Sequence, residues 1–174
     1  MKIDLIKLAN SLHSDADLLL KKTKLIQKLS KYGKVSISGS YDLGLMMDGD
    51  IDIYIINKNI NKRKSIAILK YLILEGDFNG YLYFDWTKRK REGFPNGYYI
   101  GLKTDIKGRK WKVDIWLIKE IFKPAENLLN FIKANLNAKN KKTILELKYK
   151  AKTKNLNLRS SDIYKKVLKI SANL

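Results

Sequence analysis

The sequence predicts an α+β fold, in which helices come first, strands interleaved with helices follow, and helices return at the end. Apolar residues recur at helical spacing between residues 14 and 31, and strict apolar–polar alternation marks short segments between residues 34 and 118. Helical spacing returns after Pro124, a residue that suits the first turn of a helix. The 174 residues, 45% of them apolar, suffice for a domain with a buried core and a helical extension. We expect residues 1–120 to form the core and residues 121–174 to form the helical part.

Two helices are expected before the first strand. A short amphipathic helix is predicted over residues 3–12, and a longer one follows with Ser14 or Asp15 as its N-cap. The longer helix is expected to end at about Lys31. His13 lies at the junction, and we interpret it as a structural or surface residue.

Alternation and helical spacing define the elements that follow. In the first strand, Val35 and Ile37 share one face while serines occupy the other. The predicted elements are a strand at 34–40, a brief helix or turn at 41–47, a strand at 50–56, a helix at about 62–74, a strand at 80–88, a two-stranded hairpin at 97–118, and helices at 125–136, 141–154 and 162–170. Ser160 or Ser161 is expected to cap the last helix.

Residue types that are rare or missing exclude several classes of protein. The chain has no cysteine, which excludes disulfides, thiolate catalysis and cysteine-ligated zinc or iron–sulfur sites. Its single histidine excludes a metal site built from several histidines of one chain. No apolar run is long enough to span a membrane, and the first residues lack the apolar core of a signal peptide. We therefore expect a cytoplasmic protein without a membrane partner.

The chain is strongly basic. It has 36 Lys and Arg against 17 Asp and Glu, a formal net charge of +19. Such an excess indicates a polyanionic partner such as RNA, DNA or nucleotide phosphates, although the abundance of Lys, Asn and Ile is also typical of AT-rich codons. The run Lys88, Arg89, Lys90 and Arg91 is either a solvated loop or a contact for RNA or a triphosphate.

Two aspartates interrupt the apolar strand at 50–56. Side chains at i and i+2 of a strand share a face, so Asp50 and Asp52 stand side by side and repel each other unless a cation or proton lies between them. Asp114 is the lone acid of a later strand, and it joins them if the two strands are neighbours. Three carboxylates of this kind suit a site for two Mg²⁺ ions roughly 3.5–4 Å apart. The alternative is a set of surface carboxylates on an exposed sheet face. Asp48, beside Gly49, is interpreted as a turn residue.

A Gly-Ser pair precedes the acidic strand. Gly39 allows the backbone to approach a ligand closely, free N–H groups at a helix start attract anions, and Ser40 adds a hydroxyl donor. Lys112 shares the face of Asp114 and is either a phosphate-neutralising cation or a solvated side chain. Tyr81, Tyr83, Trp86, Tyr98 and Tyr99 are numerous enough for a base-stacking surface, although strand residues of this type are more typical of core packing.

The stretch GSYDLGLMMDGDIDIYI, residues 39–55, resembles the signature of the nucleotidyltransferase superfamily that includes DNA polymerase β. That signature joins Gly-Ser, a spacer of this length and Asp-x-Asp among apolar residues to a third acid on a later apolar strand, here Asp114. The resemblance covers about residues 14–120. It implies a small mixed β-sheet flanked by helices.

The resemblance also implies site residues and ligands. Gly39 and Ser40 would hold the triphosphate, Asp50 and Asp52 would bind both Mg²⁺ ions, and Asp114 would assist the metal site and activate the acceptor hydroxyl. The implied activity is a metal-dependent transfer of a nucleoside monophosphate from a nucleoside triphosphate to an acceptor hydroxyl, with Mg²⁺ or Mn²⁺. RNA is the acceptor that the basic charge favours, and a protein or small molecule remains open. The alternative is an antitoxin-like or nucleic-acid-binding module of the same fold, acting on a protein partner or without turnover.

Overall fold

The computed structural model describes residues 3–89 and 93–170, so Lys90 and Arg91 of the basic run lie outside the described residues. The helices are α1 (Leu5–Thr23), α2 (Leu25–Ser30), α3 (Gly39–Asp42), α4 (Lys62–Glu75), α5 (Lys123–Asn135), α6 (Ala138–Thr153) and α7 (Ser160–Leu168). The strands are β1 (Lys34–Ser38), β2 (Asp50–Ile56), β3 (Gly80–Asp85), β4 (Gly97–Ile106) and β5 (Arg109–Ile118). Within these described ranges no helix combines the length and apolar character needed to cross a membrane.

The first helix is longer than predicted. The Asp4 carboxylate caps it by accepting hydrogen bonds from two backbone N–H groups, and α1 then continues past His13 without a break. The break falls instead at Lys24, which has a left-handed backbone with φ of 51°. The predicted cap at Asp15 is wrong because this side chain is buried and bonds Lys107 at 2.7 Å, in the turn between β4 and β5.

The five strands form one mixed sheet in the order β1-β2-β5-β4-β3. Strand β2 pairs in parallel with β5, and the other neighbouring pairs are antiparallel. The predicted α+β class and the small mixed sheet flanked by helices are therefore confirmed. Strand β3 ends at Asp85, three residues before the predicted end.

Alternation divides the sheet into two faces. The apolar face carries the alternating Ile and Val residues of β2 and β5, and it packs against α1, α2 and α4 in the main core. Ile53 and Ile115, paired across β2 and β5 at the centre of this core, have no exposed surface. The opposite face carries the intervening polar residues and all three predicted acids, so the pattern that builds the core also places the carboxylates outside it.

A second, smaller apolar cluster holds the C-terminal helices. It joins buried residues of α5, α6 and α7 to Leu43, Leu45 and Met47 in the segment that leads into β2. Ala9 of α1 also belongs to this cluster. The C-terminal helices therefore pack directly on the chain segment that links the Gly-Ser pair to the two aspartates.

We expect Asp15→Ala to lower the free energy of unfolding by about 1–2 kcal/mol, because it removes a charged hydrogen bond at a buried position and a nearby partner of Arg109. The matched control is Asp77→Ala, whose partner Lys22 and whose own side chain are mostly exposed. Its loss is expected to stay below about 0.5 kcal/mol. Urea unfolding curves measure both, and equal losses would contradict the structural role of Asp15.

Candidate active site

Parallel pairing of β2 with β5 brings the three acids together. In this register Asp52 lies directly opposite Asp114, and Asp50 lies opposite Lys112. All four side chains share the polar face, and each is half-buried. The structure therefore places Asp50, Asp52, Asp114 and Lys112 in one cluster, with acids contributed by two segments about sixty residues apart in the chain.

Lys112 provides positive charge inside this cluster. Its Nζ lies 2.7 Å from Asp114 Oδ2 and 3.6 Å from Asp50 Oδ1, so it bridges two of the three acids. Burial by itself lowers the pKa of Lys112, but the hydrogen bond to Asp114 and the charges of all three aspartates outweigh it and raise that pKa. The ammonium stays charged and screens the repulsion within the cluster.

Asp50 and Asp52 remain electrostatically strained despite Lys112. Burial is the main cause that raises the pKa of Asp50 to about 6, and the neighbouring Asp114 adds to it. Burial likewise raises the pKa of Asp52 to about 7, helped by the charges of Asp50 and Asp114. Lys112 opposes both shifts without cancelling them. The pair therefore lacks enough positive charge to hold both carboxylates comfortably in ionised form.

Asp114 is oriented from β4 by Tyr99. The Tyr99 hydroxyl donates to Asp114 Oδ1 at 2.5 Å. Gly101 lies opposite Asp114 on β4, and a Cβ there would stand 2.6 Å from the Tyr99 hydroxyl oxygen. Because Gly101 has no side chain, the Tyr99 ring can pass over it and reach Asp114. Burial and the bond to Asp114 raise the pKa of Tyr99, so it stays a protonated donor.

The Gly-Ser pair forms the start of α3, directly after β1. Gly39 has φ of +70°, and a Cβ there would lie 2.0 Å from Asp52 Oδ2. This residue must be glycine for two reasons, its left-handed backbone and the close approach of the Asp52 carboxylate. Ser40 follows, half-buried, and its carbonyl accepts from Leu45 N–H at 2.8 Å. The structure therefore brings Gly39 into contact with the acidic cluster.

Two lysines of α6 hold the segment between α3 and β2. The buried Lys148 Nζ donates to Leu45 carbonyl oxygen at 2.7 Å and lies 3.3 Å from the Tyr164 hydroxyl. Lys152 donates to Met47 carbonyl oxygen at 3.0 Å and also bonds Asp48. Burial lowers the pKa of Lys148 to about 8, against the nearby charges of Asp48, Asp50 and Asp52.

The sequence did not reveal two of these residues as part of the site. Lys148 is one lysine among many in a Lys-rich helix, and its spacing gave no sign that it would be buried against Leu45. Tyr99 stood out as an aromatic strand residue but not as a partner of Asp114. The available signal for Tyr99 was its spacing of two from Gly101, which puts a long side chain and an empty position on the same face.

The donor set fits a divalent cation that prefers oxygen. Asp50 Oδ1 is buried and accepts no hydrogen bond from any residue that the structure describes. Asp50 and Asp52 also have raised pKa values, which a bound cation would reverse. As the side chains stand in residues 3–89 and 93–170, no three acidic or histidine groups enclose a metal position, and Lys112 provides the cationic charge at Asp114. A metal site that includes Asp114 therefore requires Lys112 to move aside.

A cleft of about 520 Å³ opens beside the cluster. Its walls include Asp50 and Lys112, with Asp48, Gly49 and Trp111 at the start of the two strands. A cleft of about 870 Å³ lies at the opposite end of the sheet and has none of the three acids in its wall. The smaller cleft is the relevant one, because it gives a ligand access to Asp50 and Lys112 of the cluster.

Comparison with solved structures finds a matching fold. The chain matches a chain of the poly(A) polymerase complex GLD-2–GLD-3 with a TM-score of 0.52 at 14% sequence identity. The chain has a nucleotidyltransferase fold. The match covers 90% of this chain and 53% of the polymerase chain, so the present chain spans about half of that protein's length. No family model matches the sequence, and no curated protein matches it.

The nucleotidyltransferase fold agrees with the superfamily resemblance of residues 39–55 at the level of architecture. In this chain the Gly-Ser turn precedes the strand with Asp-x-Asp, and the strand with the third acid is its parallel neighbour. At 14% identity the likeness establishes the fold, and the roles of individual residues rest on the geometry described above.

The raised pKa values predict how stability depends on pH. In the folded protein the pKa values of Asp50 and Asp52 lie above the ordinary 3.8 of an aspartate. The two protonated side chains therefore stabilise the fold below about pH 4, and this stability is lost as the pH rises through about 6 for Asp50 and about 7 for Asp52. We expect Asp52→Asn to raise the melting temperature at pH 8 in EDTA and to flatten the decline between pH 4 and pH 8. A lower melting temperature for the variant at pH 8 would contradict the electrostatic strain.

Gly39→Ala is expected to destabilise the protein more than Gly108→Ala does. Both glycines have φ near +70°, a backbone conformation that penalises alanine by about 1–2 kcal/mol. A Cβ at Gly39 would also lie 2.0 Å from Asp52 Oδ2, whereas a Cβ at Gly108 would meet open space. The difference between the two variants in urea unfolding isolates the contact with Asp52. Equal losses would mean that Asp52 does not rest against Gly39.

Proposed function

We propose that this protein is a metal-dependent nucleotidyltransferase, which moves a nucleoside monophosphate from a nucleoside triphosphate to an acceptor hydroxyl. The observation that carries the proposal is the strand register that sets Asp52 beside Asp114, with Asp50 two residues before Asp52 on the same face. The fold, shared with a poly(A) polymerase chain, and the Gly-Ser turn against Asp52 support it.

Asp50, Asp52 and Asp114 are the proposed ligands of two Mg²⁺ ions, which Mn²⁺ can replace. When bound, such ions lower the pKa of an acceptor hydroxyl and offset the charge of the phosphates. Asp114, oriented by Tyr99, takes the proton of the acceptor hydroxyl. The acceptor oxygen then bonds to the α-phosphorus, the bond to the bridging oxygen of the β-phosphate breaks, and pyrophosphate leaves.

Gly39, Ser40 and Lys112 are the proposed binding groups for the triphosphate. Gly39 lets the backbone approach the phosphates, and Ser40 offers its hydroxyl. Lys112 has a flexible side chain that is 42% exposed, so it can exchange Asp114 for a phosphate oxygen. Its ammonium would then neutralise the nucleotide while the acids take up metal ions.

The two parts of the chain have different proposed roles. Residues 1–120 form the catalytic core, and residues 121–174 form a helical part that fixes the segment before β2. Lys148 and Lys152 of α6 support these separate roles, because their hydrogen bonds to the carbonyls of Leu45 and Met47 hold the backbone between the Gly-Ser turn and the acids.

A second candidate is a module of the same fold without turnover. The bond of 2.7 Å between Lys112 and Asp114 favours it, because an ammonium already compensates the acid that a metal ion would need. This candidate predicts that Mg²⁺ leaves the melting temperature unchanged. The transferase predicts a rise that grows with Mg²⁺ concentration and is lost in Asp52→Asn.

The deciding assay incubates the protein with each labelled nucleoside triphosphate, Mg²⁺, and either total RNA or cell lysate. We expect label on one class of acceptor and a loss of roughly 100-fold or more in Asp52→Asn, because the acids support several kcal/mol of transition-state stabilisation. Asp77→Asn is the control, since the Asp77 side chain is 76% exposed, pairs with Lys22 and stands outside the trio. Undiminished transfer by Asp52→Asn, or no labelled product with any nucleotide, would contradict the proposal.

A further inference from the structure

A row of aromatic side chains crosses the polar face of the sheet beside the acids. Trp116 of β5, Tyr99 of β4 and Phe84 of β3 are register partners on neighbouring strands, and Trp86 and Phe94 extend the row at its two ends. Successive ring centres are 6.0 Å apart for Phe94–Trp116, 5.3 Å for Trp116–Tyr99, 5.9 Å for Tyr99–Phe84 and 5.8 Å for Phe84–Trp86. We call these five residues the aromatic row.

Core packing accounts for only part of the aromatic row, since Trp116 is buried while Phe84 is exposed. The tyrosines of β3 and the neighbouring Tyr98 of β4 point to the opposite face, where they pack against the main core. Phe84 is 47% exposed and the nearby Leu82 is 38% exposed, on an edge strand of the sheet. An exposed apolar patch of this kind typically marks a binding site.

The aromatic row adjoins the candidate active site. Trp116 follows Asp114 by two residues on the same face of β5, and the Tyr99 hydroxyl is bonded to Asp114. A molecule that lies on the row therefore reaches the acid proposed to activate the acceptor hydroxyl. This continuity assigns the row to the acceptor rather than to an unrelated partner.

Positive charge flanks the row. The guanidinium of Arg159, at the start of α7, lies 5.7 Å from the centre of the Phe94 ring. On the other side of Asp114, Lys103 and Lys112 face each other across β4 and β5. Rings that offer flat faces, with cations at both sides, suit bases joined by phosphates.

We propose that the aromatic row binds the acceptor, and that this acceptor is the end of a single-stranded polynucleotide whose bases stack on Phe84, Tyr99 and Trp86. The proposal rests on the proposed nucleotidyltransferase function. Unpaired bases expose both faces to aromatic side chains, whereas paired bases in a duplex are stacked on each other. A terminal hydroxyl then lies beside Asp114, and the net charge of +19 adds attraction along the backbone.

The test measures binding without metal or nucleotide, so that it does not depend on turnover. The intact protein in EDTA is titrated with labelled single-stranded oligoribonucleotides, oligodeoxyribonucleotides of the same length, and an RNA hairpin without unpaired ends. Anisotropy gives the dissociation constant, and the quenching of the total emission of Trp86, Trp111 and Trp116 reports contact of bases with tryptophan. The variants are Phe84→Ala, Phe84→Trp and, as the control, Leu74→Ala, whose side chain on α4 is 67% exposed.

We expect Phe84→Ala to weaken single-strand binding about five-fold or more, and to reduce the quenching of tryptophan emission by bound bases. Phe84→Trp is expected to restore binding because it keeps a stacking face. Leu74→Ala is expected to bind like the unchanged protein, and the hairpin is expected to bind more weakly than either single strand. The tighter of the RNA and DNA single strands identifies the natural acceptor class.

Equal affinity of Phe84→Ala and the unchanged protein would overturn the inference, as would a hairpin that binds as tightly as a single strand. If the protein transfers a nucleotide to a protein or small molecule and binds no polynucleotide, the inference fails while the proposed function stands. If single strands bind through Phe84 but no nucleotide is transferred, the proposed function fails and the binding surface stands.

Discussion

The parallel pairing of β2 with β5 is the constraint on which the site depends. Its register sets Asp52 against Asp114 and Asp50 against Lys112. Because side chains alternate along a strand, a shift of one residue would turn Asp114 into the apolar core and bring Ile115 to the polar face. The buried isoleucines and valines of both strands fix that register, so the energy of the core also positions the acids.

Three carboxylates on one sheet face oppose the stability that the core provides. Cations from two distant elements offset this repulsion in part, Lys112 from β5 and Lys148 from α6. The compensation is incomplete, since burial and mutual repulsion leave the pKa values of Asp50 and Asp52 raised. A fold that retains such a conflict typically does so at a functional site. Bound divalent metal ions would supply the missing positive charge.

Much of the fold and the acidic trio could be predicted from residue patterns, because alternation is a local property. The face of Asp50, Asp52 and Asp114 follows from their isoleucine and valine neighbours. Contacts between distant segments could not be predicted in this way. The bond of Lys148 to Leu45 depends on how α6 packs, and the bond of Asp15 to Lys107 depends on how α1 packs against the turn between β4 and β5. The role of Tyr99 required the register of β4, which sets Gly101 opposite Asp114.

Three side chains with different chemistry lie in sequence along the polar face of β5. Lys112, Asp114 and Trp116 present a cation, an acid and an aromatic ring at successive positions of that face. The cleft of about 520 Å³ opens at the lysine, and the aromatic row crosses the strand at the tryptophan. Asp114 therefore lies between the cleft, whose wall carries Lys103, Lys110 and Lys112 beside three aspartates, and a stacking surface suited to bases. The proposed triphosphate and polynucleotide end would approach Asp114 from these two directions, and a transfer between them requires that they meet there.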